Sequence, residues 1–248
     1  MTNSSPANPL AGIRLHELSL PFRLLITIFL IVLGVGYLIS LANLYLTYSL
    51  TDGEPGLTVN DLRRAFYGDR NNTRLAAKID GGSMEQYLPV PGEKQTILSW
   101  IQDGAHEDIF TEKVQPILMR NCVRCHSPSG ISSFRPLLTH EQVLSVTKVD
   151  RGEPVMLWAR VAHTHILSIG IIFFCLGIIF SFTSLKESSK SIAVMTPFVA
   201  LLLDFASRYL AKYVPDLVYM MMLTGALLGL SLAVMVLVPL YELWMKKA

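Results

Sequence analysis

The chain has 248 residues, of which 51% are hydrophobic and 16% are charged, and its formal net charge is +2. Soluble domains carry about 25% charged residues, so this composition argues against an ordinary soluble globule. The small net charge, together with the lack of a basic stretch interleaved with aromatic residues, argues against nucleic-acid binding. No long polar or low-complexity tract predicts disorder. The composition therefore indicates an integral membrane protein.

Four apolar segments predict transmembrane helices. The predicted spans are residues 24–50, 161–185, 191–211 and 217–243. Each is long enough to cross a hydrocarbon core of about 30 Å, and the third is interrupted only by Asp204 and Arg208. The first span is longer than the apolar region of a signal peptide, which favours a retained anchor. Gly225 and Gly229 form a small-xxx-small pair suited to close helix packing in the last span.

The connection between the first two spans differs in character from the rest of the chain. Residues 51–160 hold most of the charge and two closely spaced cysteines, whereas the connections 186–190 and 212–216 are short. A segment of about 100 residues has the size of a typical domain. The sequence therefore predicts an all-α membrane protein, with a four-helix transmembrane bundle and one mainly helical domain between helices 1 and 2.

Basic residues in short segments predict the orientation, because they are retained on the cytoplasmic side. One side of the predicted topology carries six of them: Arg14, Arg23, Lys186, Lys190, Lys246 and Lys247. The short connection on the other side carries only Lys212. Residues 1–23 and both termini are thus expected in the cytoplasm. The domain at 51–160 is expected in the periplasm, at the inner membrane of a bacterium.

The polar domain contains a motif of two cysteines and a histidine that indicates a bound cofactor. Cys122-Val123-Arg124-Cys125-His126 is a C-x-x-C-H sequence, the attachment signature of a c-type haem. Each thiol adds to a haem vinyl group, and the adjacent histidine ligates the iron. A thioredoxin-like pair would need a βαβ context, and a zinc site would need a second ligand pair; the sequence has neither. We therefore predict one covalent haem c. Its attachment outside the cytoplasm agrees with the predicted orientation.

The residues around this motif resemble the class I c-type cytochromes. Residues 110–118 lead into the motif much as the first helix of those proteins does. Their methionine loop and closing helix normally follow the haem motif. Here the similar residues precede it, at 82–89 and 96–105. The resemblance, over roughly residues 80 to 130, implies a rearranged, permutation-like haem domain.

The second axial ligand of the iron is left open by the sequence. Met84 is the first candidate, because its Gly-Ser-Met loop precedes the predicted closing helix and because methionine ligation suits cytochromes c. The alternatives are Met156, His140, His163 and His165. Met119 lies too close to the motif to reach the opposite face of the haem.

Polar residues within the spans have two interpretations. His163 and His165 lie near the outer end of the second span, where they could bond a haem propionate, a quinone oxygen or another helix. Asp204 and Arg208 are four residues apart on one helix face and can pair with each other. His165, Asp204 and Arg208 could together serve proton or quinone chemistry. The alternative, which the sequence favours for Asp204 and Arg208, is an internal salt bridge that stabilises the bundle.

Together these features predict a membrane-anchored monohaem c-type cytochrome, an electron-transfer subunit of a respiratory or photosynthetic membrane complex. Four spans exceed what a tether requires, so other membrane subunits are expected as partners, together with a redox donor and acceptor. A quinol-oxidising oxidoreductase subunit that uses quinone, and a non-catalytic redox-sensor or assembly subunit, are the alternatives. The chain shows no nucleotide fingerprint and no nucleophile–base constellation, which favours an electron carrier over an enzyme acting alone.

Overall fold

A computed structural model describes residues 14–49 and 51–246. Residues 1–13 of the predicted cytoplasmic segment, Leu50 of the first predicted span, and Lys247 lie outside the described residues. Ten α-helices are present in the described part: α1 (Leu20–Tyr48), α2 (Val59–Phe66), α3 (Arg74–Ile79), α4 (Glu93–Gln102), α5 (Glu107–Ile109), α6 (Gln115–Asn121), α7 (His140–Leu144), α8 (Val155–Ser181), α9 (Glu187–Leu210) and α10 (Leu217–Trp244). The described residues form no strand, and their one isolated bridge joins Thr73 and Val149. The predicted all-α class is confirmed.

Shorter turns complete the secondary structure. Residues Leu15–Glu17 and Glu85–Tyr87 form 3-10 turns, and Phe110–Val114 forms a π-helical turn between α5 and α6. In that turn the Gln115 N–H donates to the carbonyl oxygen of Phe110, five residues earlier. Since no gap separates α5, the π turn and α6, they make one helical run that leads into the C-x-x-C-H motif.

Four helices, α1, α8, α9 and α10, are long and apolar enough to cross a membrane, so the prediction of four spans is confirmed. Three of the helices begin earlier than the predicted spans, α1 at Leu20, α8 at Val155 and α9 at Glu187, whereas α10 begins at Leu217 as predicted. Hydropathy ends a span at the first charged residue, whereas a helix is limited by its backbone hydrogen bonds and continues through Arg160 into the polar interface.

The chain divides into two compact units, and the first contains the four long helices. Every one of these helices contributes to a shared apolar core. The buried residues of this core are Leu30, Phe173, Leu176, Phe180, Met235 and Val236, and Val194 and Phe198 of α9 pack against them. The predicted four-helix bundle is therefore present.

The predicted small-residue pair in α10 is used at one of its two positions. A Cβ on Gly229 would collide with the hydroxyl oxygen of Tyr37 on α1, so the glycine permits that close approach. Nothing lies within 4 Å of a Cβ built on Gly225. Only Gly229 therefore mediates a close helix contact within the bundle.

One end of the bundle gathers segments that are far apart in the sequence. The Ser184 N–H, between α8 and α9, donates to Glu242 Oε2 near the end of α10 at 2.9 Å. Arg14 Nη1 donates to the carbonyl oxygen of Thr183 at 3.5 Å, and Lys246 Nζ lies 3.9 Å from Glu242 Oε1. The segment before α1, the α8–α9 connection and the end of α10 therefore meet, as four alternating spans require.

The second unit comprises residues 45–155 together with the α9–α10 connection, Tyr209–Val218. Its core is built from apolar residues of α3, α4, the helical run and α7: Leu75, Ile79, Ile97, Trp100, Ala105, Phe110, Val114, Ile117, Leu118, Leu137 and Val143. Arg63 pairs with Asp216 of the connection at 2.6 Å, and Lys212 Nζ donates to the Arg151 carbonyl at 3.1 Å. The polar domain and the α9–α10 connection thus pack together, as expected of segments on one side of the membrane.

Candidate functional site

The C-x-x-C-H motif forms a single helical turn at the end of α6. The Cys125 N–H donates to the carbonyl oxygen of Cys122 at 3.1 Å, and the His126 N–H donates to the same oxygen at 2.9 Å. Residues three and four positions apart share one face of a helical turn. The structure therefore brings both cysteines and the histidine to one face, the arrangement needed to attach and ligate a single flat ring.

The imidazole of His126 is oriented through one of its two nitrogens. Its Nδ1 lies 2.9 Å from the carbonyl oxygen of Arg135, to which a protonated Nδ1 donates. No described residue forms a hydrogen bond with Nε2. Metal-binding histidines commonly donate their second ring N–H to a carbonyl in this way, which fixes the tautomer and the direction of the ligating nitrogen. His126 is thus prepared to ligate iron through Nε2.

The loop after the motif is folded tightly against it. The Ser132 N–H donates to the Cys125 carbonyl oxygen at 3.0 Å, and the Gly130 N–H donates to the Ser127 carbonyl oxygen at 3.0 Å. A Cβ on Gly130 would overlap the Cys125 carbonyl oxygen, so only glycine fits at this point. The loop then delivers Arg135, whose carbonyl oxygen orients His126.

The two motif cysteines are free thiols, and their environment differs from that of a redox pair. Burial raises the pKa of the Cys122 thiol to about 11, with a smaller contribution from the charge of Glu93. Catalytic C-x-x-C motifs instead lower the pKa of their nucleophilic cysteine. Cys122 therefore remains a protonated thiol at neutral pH, which argues against a thioredoxin-like role.

Large apolar side chains close to the motif in sequence face outward. Ile131 is 87% exposed and Phe134 is 66% exposed, although both lie in the loop that packs on the motif. Met119, one turn before Cys122, is also exposed. Removing such side chains from water is favourable by a free energy of about 25 cal/mol for each square ångström of apolar surface. A haem held by the motif would supply such a cover.

Two cations of the same domain form no close ion pair with a carboxylate of the described residues, Lys78 and Arg135. Burial lowers the pKa of both side chains, although the charge of Asp150 acts on both in the opposite direction. Carboxylates such as the two propionates of a haem would compensate the charges of both side chains. The domain thus offers thioether, iron-ligand and propionate partners, and its residues fit the group that the motif implies.

Met84 lies in a loop of the same unit. Its side chain is 38% exposed, its N–H donates to the carbonyl oxygen of Lys78 at 2.8 Å, and it precedes the 3-10 turn Glu85–Tyr87. The helix that follows, α4, begins at Glu93, three residues before the predicted Thr96. Met84 is therefore on an ordered loop with an accessible sulfur.

Helix α4 packs directly against the helical run that carries the motif. The Trp100 and Phe110 rings are 5.6 Å apart between centroids. The buried carboxylate of Glu93 accepts a hydrogen bond from Asn121 Nδ2 at 2.8 Å and pairs with Arg120. The methionine loop, α4 and the motif helix thus belong to one packed body, although the loop precedes the motif in the chain.

The alternative candidates for the second iron ligand lie in environments that differ from that of Met84. His140 Nε2 lies 2.7 Å from the carbonyl oxygen of Ala105, and its ring contacts Trp100 and Phe110, with centroids 6.1 and 5.3 Å away. This nitrogen of His140 is therefore already engaged in a hydrogen bond within the domain. The remaining candidates are on α8, have exposed side chains and belong to the bundle unit: Met156, His163 and His165.

A zinc-type cluster is not formed by the described residues, among which no three His, Cys, Asp or Glu side chains could hold a metal ion together. A cytochrome c iron needs only one protein ligand on each face. The haem hypothesis therefore does not depend on such a cluster.

Asp204 and Arg208 pair within the bundle as their spacing predicts. Asp204 is 2% exposed; its Oδ2 accepts from Arg208 Nε at 2.8 Å, and its Oδ1 accepts from Thr224 Oγ1 of α10 at 3.2 Å. His165 lies nearby on α8, with its ring 6.3 Å from that of Phe205. The acid therefore joins α9 to α10 as well as holding Arg208.

Comparison with known proteins finds a family match over part of the chain. Residues 154–248 match the model of a family described as a transmembrane helical domain. The match takes in α8, α9 and α10 and agrees with their assignment as spans. No curated protein and no solved structure matches the chain.

The sequence did not predict the roles of three residues that contact the candidate sites: Thr224, Glu93 and Lys94. Nothing in the sequence indicates that Thr224 binds Asp204, because a single threonine in an apolar span is ordinary. Glu93 and Lys94 look like solvated residues at a helix start, yet Glu93 is buried and Lys94 holds two carboxylates. A weak signal for Glu93 is the pair Arg120-Asn121 directly before Cys122, which supplies a cation and an amide.

Proposed function

We propose that this protein is a membrane-anchored monohaem c-type cytochrome that transfers electrons on the periplasmic side of a bacterial inner membrane. The observation that carries the proposal is the single turn in which Cys122, Cys125 and His126 share one face. The imidazole Nε2 in that turn is left free by the bond from Nδ1 to Arg135. A family match to a transmembrane domain supports the anchor.

The chain's own residues have distinct tasks in this proposal. The Cys122 and Cys125 thiols would each add across a vinyl double bond, with the sulfur bonding to one carbon and the thiol proton passing to the other. His126 would hold the iron through Nε2, oriented by the Arg135 carbonyl oxygen, and the Lys78 and Arg135 side chains would be available to pair with the propionates. The haem supplies one-electron chemistry at its iron.

Met84 is proposed as the second axial ligand. Support comes from its ordered, accessible loop and from the packing of the following helix α4 against the motif helix through Trp100 and Phe110. The methionine loop and closing helix are the parts that the resemblance to class I cytochromes implies, with the chain order changed. A thioether ligand would raise the reduction potential.

A single haem exchanges one electron at a time, so the protein needs a donor and an acceptor. Helix α1 suggests where other membrane subunits could bind, because only 6% of its most apolar stretch is buried in the bundle. One span would tether the domain, and the others are available for assembly. We therefore place the protein in a respiratory or photosynthetic membrane complex.

A quinol-oxidising subunit is the second candidate. The exposed imidazoles of His163 and His165 on α8 favour it, since ionisable side chains on a membrane helix are usually functional. Quinol-dependent reduction of the haem in the isolated chain, lost in His165→Ala, would favour this candidate over a simple carrier.

Haem attachment is tested directly by expressing the chain in cells that mature c-type cytochromes. A haem-stained denaturing gel should show one covalent haem in the unmutated chain and in Cys175→Ser, whose cysteine lies within α8. The double variant Cys122→Ser/Cys125→Ser should lose the stain. An unstained band from the unmutated chain would overturn the proposal.

A further inference from the structure

Lys94, in the first turn of α4, joins the two ends of the loop that carries Met84. Its Nζ lies 2.6 Å from Glu85 Oε1 and 3.2 Å from Asp80 Oδ1. The other carboxylate oxygen of Glu85 accepts the Gly81 N–H at 2.8 Å. One ammonium group therefore fixes the residue that follows Met84 and the residue four positions before it.

The loop has little freedom apart from these bonds. A Cβ on Gly82 would overlap the carbonyl oxygen of Ala77 and crowd the Cα of Lys78. The Met84 N–H is bonded to the Lys78 carbonyl oxygen at 2.8 Å. The backbone at Gly82 and Met84 is thus held against α3, and Lys94 holds Glu85 on the other side of Met84.

The residue next to Lys94 makes the opposite connection. Glu93 is buried and binds Arg120 and Asn121 at the end of α6, directly before Cys122. Two consecutive residues of α4 therefore contact the methionine loop on one side and the motif helix on the other. Any shift of α4 would change the distance between Met84 and His126.

We propose that Lys94 and Glu93 are positioning residues, which together set how firmly the Met84 thioether is held on the iron that His126 ligates. This inference rests on the proposed function. It assigns to two charged side chains, which act through the methionine loop and the motif helix, control over the lifetime of the bond between Met84 and the iron.

The test compares Lys94→Met with Lys113→Met in the haem-loaded protein. Lys113 is an exposed lysine of the neighbouring π turn and is the matched control. Loss of two exposed ion pairs should raise the rate at which cyanide displaces the thioether by roughly threefold to tenfold. The same variant should speed amide exchange at Gly81 and Met84, in loaded and haem-free protein alike. Lys113→Met should change neither rate.

A second variant, Glu93→Gln, tests the contact between α4 and the motif helix separately from the contact between Lys94 and the methionine loop. It should raise the cyanide rate while leaving the Gly81 amide protected, because the Lys94 bonds persist. If haem is attached and Met84→Ala abolishes the sulfur-to-iron charge-transfer band, but Lys94→Met behaves as Lys113→Met does, the inference is wrong and the proposed function stands. An unchanged band in Met84→Ala overturns both this inference and the assignment of Met84 as a ligand, while the proposal of a covalent haem c protein stands. A chain without covalent haem overturns both.

Discussion

Replacing Asp204 by leucine tests whether the polar pair in the bundle is structural. The change removes the acceptor of Arg208 Nε and one acceptor of the Thr224 hydroxyl. Breaking a buried ion pair costs about 3–5 kcal/mol. The Arg208 side chain keeps 23% exposure and its long stem can reach the interface, so we expect a loss of about 2–3 kcal/mol in the free energy of unfolding. Thr224 also bonds the Met220 carbonyl oxygen, and it adds little to this loss.

The decisive comparison is with the double variant Asp204→Leu/Arg208→Leu. An apolar replacement of a whole buried pair is often neutral, so the double variant should unfold within about 1 kcal/mol of the unmutated protein. Thr224→Val should cost only about 0.6 kcal/mol. Unfolding is followed by titrating a denaturing detergent into mild-detergent micelles.

Two results would refute this argument. A double variant as unstable as Asp204→Leu would show that the Arg208 charge, once separated from the Asp204 carboxylate, is not the cause of the loss. A double variant of normal stability that no longer accepts electrons from membrane quinol would show that Asp204 and Arg208 serve chemistry.

Three further predictions follow from glycines and one thiol. Gly229→Ala should lower bundle stability by about 1 kcal/mol through overpacking, and Tyr37→Phe should relieve it; Gly225→Ala is the control, and an equal effect at both glycines would contradict the close contact. Gly130→Ala should lower the haem-to-protein ratio, because the new methyl group displaces the Cys125 carbonyl; an unchanged ratio in purified protein would show that the loop can yield. In the haem-free chain, alkylation of Cys122 should rise with pH up to about 11, because only the thiolate reacts and burial opposes its formation. Mass spectrometry of the labelled peptide measures this, and a midpoint near the ordinary thiol pKa of about 8.5 would mean that Cys122 is exposed.

The spans and the motif were predictable because their signals are local. An apolar stretch long enough to cross a membrane is visible in the sequence, and the turn at Cys122 forms from adjacent residues. The helix ends were less predictable: α8 begins at Val155 because helical hydrogen bonding does not stop at Arg160.

What the sequence did not contain is the pairing of distant side chains. Glu93 and Arg120 are 27 positions apart, and Asp204 and Thr224 are 20 apart. Their partnerships exist only once helices have packed. The same holds for His140, a ligand candidate in the sequence, whose imidazole is engaged by a carbonyl oxygen 35 positions away.

The π turn at Phe110–Val114 makes the motif helix sensitive to length. Phe110 and Val114 are buried in the domain core, while the face formed by Cys122 and His126 would have to meet the proposed haem. A π turn holds one more residue than the α-helical turn it replaces, and each residue of an α-helix corresponds to a rotation of about 100°. Deleting a single residue between Phe110 and Val114 would restore a regular helix but turn the thiols and imidazole away by that angle. The one additional residue therefore sets the rotation of the helix, so that Phe110 and Val114 face the core while Cys122 and His126 face the proposed haem site.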